Sequence, residues 1–237
     1  FASIVAGVRE GRVSYANIRK VVFMLVSTGA AEVVLFLLAF PLGLPMPLLP
    51  VQLLWLNLVT NGIQDVALAA EKAEGDELSY PPRNPKESIF DRVMVRRIWH
   101  STLVMGFGGF AVFWWLLELG YAETEARNLL LLLFVLFENF QTFNSRSEHH
   151  SVFRQRPFSN PLLILGVIVA QALHIGAMYI PGLKGVLQVA PVSLKEWILL
   201  LLVASVLLAV MEFEKMWDAR HRLGAAAKMS ERSRPAR

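Results

Sequence analysis

Six apolar stretches alternate with polar segments along the chain, and each is long enough to form a helix that crosses a membrane. A transmembrane helix needs about 17 to 25 mostly apolar residues to cross a hydrocarbon core of about 30 Å. The predicted spans cover residues 21–40, 51–70, 98–119, 128–144, 161–180 and 194–211. The pattern therefore predicts an all-α polytopic membrane protein, a bundle of six transmembrane helices.

The segments outside the spans give the predicted domain organisation. Residues 1–20 mix apolar and charged positions, which is typical of a cytoplasmic stalk helix continuous with the first span. Residues 21–213 form the membrane domain, including a polar loop at 71–97 that three prolines in PPRNP keep from being one helix. Residues 214–237 form a charged cytoplasmic tail, which we expect to be frayed or disordered. The opening FASIVAGV is not a signal peptide, and we expect it to lie within a longer domain.

Composition and charge narrow the class of protein. Hydrophobic residues make up 55% of the chain and the mean hydropathy is +0.48, which is too apolar for a soluble domain of this length. The absence of cysteine excludes disulfides and thiolate metal sites. Of the 23 Lys and Arg residues, 20 fall on one side of the predicted membrane, so both termini are predicted to be cytoplasmic. The excess of Lys and Arg thus indicates the topology in a lipid bilayer and does not indicate a nucleic-acid partner. The bilayer is predicted to be the cell membrane.

The second span carries a polar stripe that a lipid-facing helix would not tolerate. Its positions are spaced i, i+3, i+4 and i+7, so they share one face of a helix: Asn57, Thr60, Asn61 and Gln64, with Asp65 beside them. Polar groups are costly in hydrocarbon, so this face should contact other helices or a hydrated ion path. Hydrogen bonding between helices and ion coordination both remain open for the stripe.

Two further carboxylates are predicted to lie at a similar depth. At about 1.5 Å of rise per residue, Glu32 lies about 18 Å, Asn61 about 14 Å and Glu138 about 15 Å from the cytoplasmic edge. Hard cations such as Ca²⁺ take oxygen ligands, which these side chains supply. The carboxylates therefore indicate a functional site, whereas Gln171 and His174 are predicted to serve packing or hydrogen bonding.

Glycines mark two other positions of interest within the spans. Gly62, next to the polar stripe, predicts a local unwinding that exposes backbone carbonyls. Gly106, Gly108 and Gly109 in the third span predict close helix packing.

Several ordered motifs carry a family resemblance. EGRVSYANIRK, LVSTGAAEVV, LGLPMPLLPVQLLWLNLVTNG and PPRNPKE occur in this order. They resemble the fifth and sixth transmembrane helices and the following cytoplasmic loop of P-type cation-transporting ATPases, closest to the type II group that includes calcium pumps. The chain to about residue 217 is similar to that family's C-terminal six-helix region, and the loop YPPRNPKESIF is similar to the one that braces its stalk.

The resemblance implies an ATP-driven pump that uses ATP and Mg²⁺, forms an aspartyl phosphate and occludes ions between its fourth, fifth, sixth and eighth helices. Glu32 matches the carboxylate ligand of the fifth helix. Asn57, Thr60 and Asn61 match the ligand positions of the sixth helix, and Glu138 matches the carboxylate of the eighth helix in calcium pumps.

Two departures from calcium pumps bear on the transported cation. Gly29 stands where those pumps have Asn, and Asn61 stands where they have Asp. Asp65, one turn beyond Asn61, could restore the charge about 6 Å nearer the cytoplasm. Fewer fixed negative charges weaken Ca²⁺ binding relative to a monovalent ion or a proton, so all three cations stay open. The predicted ion-site residues are Glu32, Asn57, Thr60, Asn61, Asp65 and Glu138.

Other family motifs do not occur in these 237 residues: DKTGT, TGDGVNDAP, TGE and PEGL. We therefore predict that the chain alone is not catalytic, and that it is a fragment or a split subunit that works with missing N-terminal pump domains. The alternative is a non-enzymatic accessory or degenerate membrane subunit, in which the polar stripe serves helix packing only.

Overall fold

A computed structural model describes residues 1–75, 78–79, 88–148, 150–155 and 157–232. In these ranges every regular element is a helix, which confirms the predicted all-α class. The α-helices are α1 (Ala2–Ala39), α2 (Pro50–Leu54), α3 (Asn61–Ala69), α4 (Arg92–Glu118), α5 (Glu123–Ser145), α6 (Pro161–Ala177), α7 (Pro181–Leu187) and α8 (Leu194–Arg232). A π-helical turn (Trp55–Thr60) joins α2 to α3, and 3-10 turns cover Phe40–Leu42, Val152–Arg154 and Pro157–Ser159.

The predicted stalk and first span form one uninterrupted helix, α1, as expected. Its 38 residues extend for about 57 Å. No proline interrupts this stretch, and the helix ends where Pro41 enters the 3-10 turn. Gly43, with φ of 67°, adopts the left-handed conformation that closes this turn.

Three helical segments in the described part of the chain are long and apolar enough to cross a membrane: Ala2–Leu42, Arg92–Glu118 and Leu194–Arg220. The pair Pro161–Ala177 and Pro181–Leu187, bent by 90°, would be a fourth if it is one span. The other two predicted spans correspond to the helix broken at the π-helical turn and to α5, whose second half is rich in polar residues. Their crossing of the membrane stays a prediction.

The fourth predicted span, α5, is the central helix of the bundle. Its residues from Ala126 to Glu138 are all buried, and it packs against α1, α3, α4, α6 and α8. The LLLLLFVLF run at 129–137 makes this part of the helix apolar on all sides, so it can be enclosed by other helices without leaving a polar face unpaired. The polar second half of α5 is thereby held inside the fold.

Close packing of α4 confirms the role predicted for its glycines. A Cβ atom on Gly106 would lie 2.7 Å from Cγ1 of Val34 in α1. One on Gly109 would lie 2.6 Å from Cε2 of Phe134 in α5. Since both distances are below any van der Waals contact, glycine is what lets α4 approach its two neighbours.

Ion pairs connect the helices at one end of the bundle, here called the basic end and defined by Arg19, Lys20 and Arg146. The guanidinium of Arg19 lies 2.8 Å from Asp91 and 2.6 Å from Glu148, and its Nη1 donates to the carbonyl of Ile89 at 2.6 Å. Lys20 lies 3.0 Å from Glu74. These contacts fix the middle of α1 to the segments that flank α4 and follow α5.

A second, fully buried pair closes the same end. Arg146 Nη2 lies 3.0 Å from Oε1 of Glu71, and the two side chains are 3% and 6% exposed. Asn160 Nδ2 donates to Glu71 Oε2 at 2.8 Å, and Arg146 Nη2 donates to Ser159 Oγ at 2.6 Å. The pair therefore joins the ends of α3 and α5 to the start of α6.

Several predicted boundaries were wrong or fall outside the described residues. The predicted loop 71–97 ends earlier, because Asp91 accepts a hydrogen bond from Met94 N at 2.8 Å and caps α4 at Arg92. Most of the loop sequence YPPRNPKESIF, at 80–87, lies outside the described residues, as do 233–237 of the tail. The expectation of a frayed tail was wrong as far as Arg232, because α8 continues through the strongly helix-forming AAAK sequence.

Candidate functional site

The carboxylate of Glu32 is bound by the first residue of the polar stripe. Asn57 Nδ2 lies 2.9 and 3.0 Å from the two carboxylate oxygens of Glu32, and 3.0 Å from the carbonyl of Leu53. Glu32 is 8% exposed, whereas Asn57 lies on an exposed face of the described chain. This contact joins α1 to the π-helical turn at the open side of the site.

Glu138 is held from the opposite direction, deep in the fold. The Thr60 hydroxyl lies within hydrogen-bond distance of Oε2 of Glu138 and of the carbonyl of Leu56, the latter at 2.8 Å. Glu138 is 1% exposed, and its Oε1 has no hydrogen-bond partner among the described residues. Buried acceptor oxygens are seldom left unpaired in proteins, so this oxygen is suited to bind a further group.

Asn61 and Asp65 leave two more buried oxygens without partners. Asn61 Nδ2 donates to Thr28 Oγ1 at 3.1 Å, while its Oδ1 accepts no hydrogen bond in the described part of the structure. Asp65 Oδ1 is also buried and accepts no hydrogen bond from the described residues. Together with the free oxygen of Glu138, these atoms offer oxygen ligands of the kind that hard cations use.

All six predicted site residues, here called the polar cluster (Glu32, Asn57, Thr60, Asn61, Asp65 and Glu138), belong to α1, the π-helical turn, α3 and α5. Direct hydrogen bonds join Asn57 to Glu32 and Thr60 to Glu138. Within the described ranges, no group of three or more His, Cys, Asp or Glu side chains lies close enough together to hold a metal ion. The cluster therefore contains two hydrogen-bonded pairs together with Asn61 and Asp65, and is not a preformed carboxylate cage.

The charge of the polar cluster is not compensated by basic side chains. Where the structure describes the chain, Glu32, Asp65 and Glu138 form no ion pair. The ion pairs of the fold are instead concentrated at the basic end, as with Arg19 and Arg146. A buried carboxylate needs either a proton or a cation, so the cluster is chemically suited to exchange one for the other.

The backbone around the stripe differs from the predicted unwinding at Gly62. That residue lies inside α3, and a Cβ atom there would meet no other atom within 4 Å. The irregularity comes earlier, at the π-helical turn, where Asn61 N donates to the carbonyl of Leu56 five residues back. Such turns insert an extra residue into a helix and often lie at functional sites, and this one contains Asn57 and Thr60.

Sequence reasoning missed several polar side chains that contact the cluster or its neighbours. Thr28 lies one turn before Glu32 on α1 and binds Asn61, and this i, i+4 spacing could have identified it. Asn139 and Thr142 on α5 bind Gln64 at 2.7 and 2.5 Å. Their positions close to Glu138 in the sequence could have identified them.

Comparison with known proteins identifies the family. The profile of the family described as "Cation transporting ATPase, C-terminus" matches residues 45–217. A protein named "Calcium-transporting ATPase" from Bacillus subtilis (strain 168) is 34% identical over 206 residues, which are 85% of this chain and 23% of that protein. The "Probable cation-transporting ATPase F" of Mycobacterium tuberculosis (strain ATCC 25618 / H37Rv) is 32% identical over 210 residues, 89% of this chain and 23% of that protein.

These matches confirm the resemblance that the sequence motifs predicted. The chain spans about a quarter of the length of the relatives it matches, 23% in both cases. The family match, together with its membrane-capable helices, makes it an integral membrane protein. The chain belongs to the family formed by the C-terminal region of cation-transporting ATPases.

Proposed function

We propose that this chain is the C-terminal membrane part of an ATP-driven cation pump, and that the polar cluster forms part of its ion-binding and translocation site. The observation that carries the proposal is the set of three buried, unpartnered oxygens on Asn61, Asp65 and Glu138. They lie within the region matched by the family, and the two carboxylates form no ion pair among the described residues. A cation supplies both the missing charge and the missing contacts.

The catalytic chemistry belongs to other parts of such a pump. ATP, Mg²⁺ and the phosphorylated aspartate would lie in the regions that the relatives have outside the 23% matched here. The role of this chain is to bind the cation and to move in response to phosphorylation. Both termini would lie in the cytoplasm, with the basic end on the same side, because 20 of the 23 Lys and Arg residues are there in the predicted topology.

The oxygen groups of the polar cluster are compatible with more than one type of cation. Ca²⁺ prefers six to eight oxygens and several carboxylates. Asn61 supplies an amide oxygen, and the carboxylate of Asp65 lies one turn away from it. The named activity of the Bacillus subtilis relative favours Ca²⁺, whereas the reduced charge at Asn61 favours a monovalent ion or a proton. A screen of ATPase activity against Ca²⁺, Na⁺, K⁺ and pH in the complete protein decides among them.

Charge-neutral variants of the complete protein test the site. We expect Glu32→Gln and Glu138→Gln to raise the cation concentration for half-maximal phosphoenzyme formation at least tenfold, about the effect of one lost charged contact of 1.4 kcal/mol or more. Glu118→Gln, at an exposed position near the end of α4, is the matched control and should leave it unchanged. Unchanged cation dependence in both cluster variants would remove these residues from the site.

A second function has a specific observation in its favour. The bonds from Asn57 to Glu32 and from Gln64 to Asn139 link neighbouring helices, as they would in an accessory subunit where polar residues serve packing only. In that case the complete protein should show no cation-stimulated ATPase activity. Glu138→Leu should then be at least as stable as the original protein, because apolar replacement of a buried charge is often stabilising.

A further inference from the structure

A series of amide side chains leads from the neighbourhood of the polar cluster to α6. The Thr142 hydroxyl donates to Gln64 Oε1 at 2.5 Å, Gln64 Nε2 donates to Asn139 Oδ1 at 2.7 Å, and Asn139 Nδ2 donates to Gln171 Oε1 at 2.8 Å. We call Gln64, Asn139 and Gln171 the amide relay. Because every amide accepts through oxygen and donates through nitrogen, the relay has one direction and leaves the N–H groups of Gln171 at its end.

The end of the relay is a buried place with unmet hydrogen-bonding capacity. Gln171 Nε2 is buried and has no partner among the described residues. His174, one turn further along the same face of α6, is 0% exposed, and neither of its ring nitrogens has a partner in the described ranges. A neutral imidazole has one donor and one acceptor, and burying such groups unpaired costs about 1–3 kcal/mol each. The sequence predicted packing or hydrogen bonding for both residues, and packing alone does not account for these unpaired groups.

The unpaired nitrogens of Gln171 and His174 indicate which kind of ligand can bind here. A metal ion is disfavoured because the free group of Gln171 is an N–H donor. An anion is disfavoured because α3 and α5, which pack against α6, carry the carboxyls of Asp65 and Glu138. Another polypeptide segment packed on the outside of the bundle would not contact His174, because this side chain has no exposed surface. A water molecule can bridge the two residues, since it accepts from Gln171 and bonds to one of the two imidazole nitrogens.

We propose that Gln171 and His174 hold a buried water molecule, and that this water orients the amide relay and thereby the polar face of α3. Gln64 is the link, because it lies three residues after Asn61 and directly before Asp65. Gln171 and His174 are then positioning residues for the cation site, acting from a helix that carries none of its predicted ligands. The effect on transport rests on the proposed function, whereas the water site does not.

Nitrogen-15 solid-state NMR of the complete protein in lipid bilayers tests the water site directly. We expect at least one ring nitrogen of His174, assigned by its loss in His174→Phe, to show a hydrogen-bonded shift and magnetisation transfer from water protons. Gln171→Leu should weaken that transfer. His100 is the matched control, because its Nδ1 already lies 2.9 Å from Glu214 Oε2 and its signals should not change in Gln171→Leu. Ring nitrogens of His174 without hydrogen bonds or water contact would overturn the proposal.

Cation titrations of phosphoenzyme formation test the positioning role. We expect Gln171→Leu and His174→Phe to raise the half-maximal cation concentration about fivefold, as for one lost hydrogen bond, with the maximal rate retained. His174→Gln, which keeps a donor and an acceptor, should restore most of this affinity. If Glu138→Gln shifts the titration and Gln171→Leu does not, the positioning role fails while the proposed function stands. If no cation stimulates the protein, the proposed function fails and the NMR result still decides the water site.

Discussion

The buried ion pair between Glu71 and Arg146 allows a quantitative test of how the basic end is stabilised. In Glu71→Gln the carbonyl oxygen can still accept from Asn160, but the charge opposite Arg146 is lost. The guanidinium is then left 97% buried with no opposite charge from residue 71, although it still donates to Ser159 Oγ. Breaking a buried pair by neutralising one side costs about 3–5 kcal/mol. At about 2–4 °C per kcal/mol for a chain of this size, the melting temperature should fall by about 6–20 °C.

The double variant Glu71→Gln with Arg146→Met separates the pair from its parts. Because it leaves no unpaired buried charge, it should melt well above either single variant. Fluorescence of the six tryptophans during heating in detergent follows the transition, and Glu118→Gln is the exposed control. If the losses of the two single variants simply add in the double variant, the two charges do not act as a coupled pair and the reasoning is refuted.

Three further predictions test other parts of the fold and site. Gly106→Ala should lower stability by about 1–3 kcal/mol in the same melting assay, because its Cβ would clash with Val34, whereas Gly7→Ala meets nothing within 4 Å and should raise it by about 0.5–1 kcal/mol. Asp91→Ala should cost about 1 kcal/mol more than Asp91→Asn, since Asn keeps the cap of α4 and both variants lose the ion pair to α1. Asp65→Asn should weaken a divalent cation more than a monovalent one in cation titrations of ATPase activity, and equal effects would argue against Asp65 as a ligand.

The helical organisation could be predicted because it depends on local patterns. The continuity of α1 follows from a long stretch without proline, and the close approach of α4 follows from three glycines in four positions. The run of nine apolar residues at 129–137 predicts a membrane helix but not its central place, because a helix that is apolar on all sides can face lipid as well as other helices. These features need no knowledge of distant contacts.

The details of the site depend on distant contacts and could not be predicted in the same way. The depth estimate placed Glu32 and Glu138 at the level of the stripe. It did not predict which amide or hydroxyl group each carboxylate binds. The π-helical turn changes the rotation of every later residue in its helix by about one position, so an ideal helix gives the wrong partners. Asn139 bonds to Gln64 of α3 and to Gln171 of α6, and its position in the sequence does not indicate that these two helices lie on either side of it.

The single unbroken helix α1, held near its middle, has the mechanical properties of a lever. Arg19 is fixed by Asp91 and Glu148, about 26 Å from Ala2 and about 20 Å from Glu32 on the other side. For a rigid rod that pivots at this clamp, sideways displacement of the first residue moves the carboxylate by about three quarters as much in the opposite direction. In the proposed pump, a displacement applied at residue 2 would therefore reach the proposed ion site at about three quarters of its size, with the salt bridges of Arg19 as the pivot.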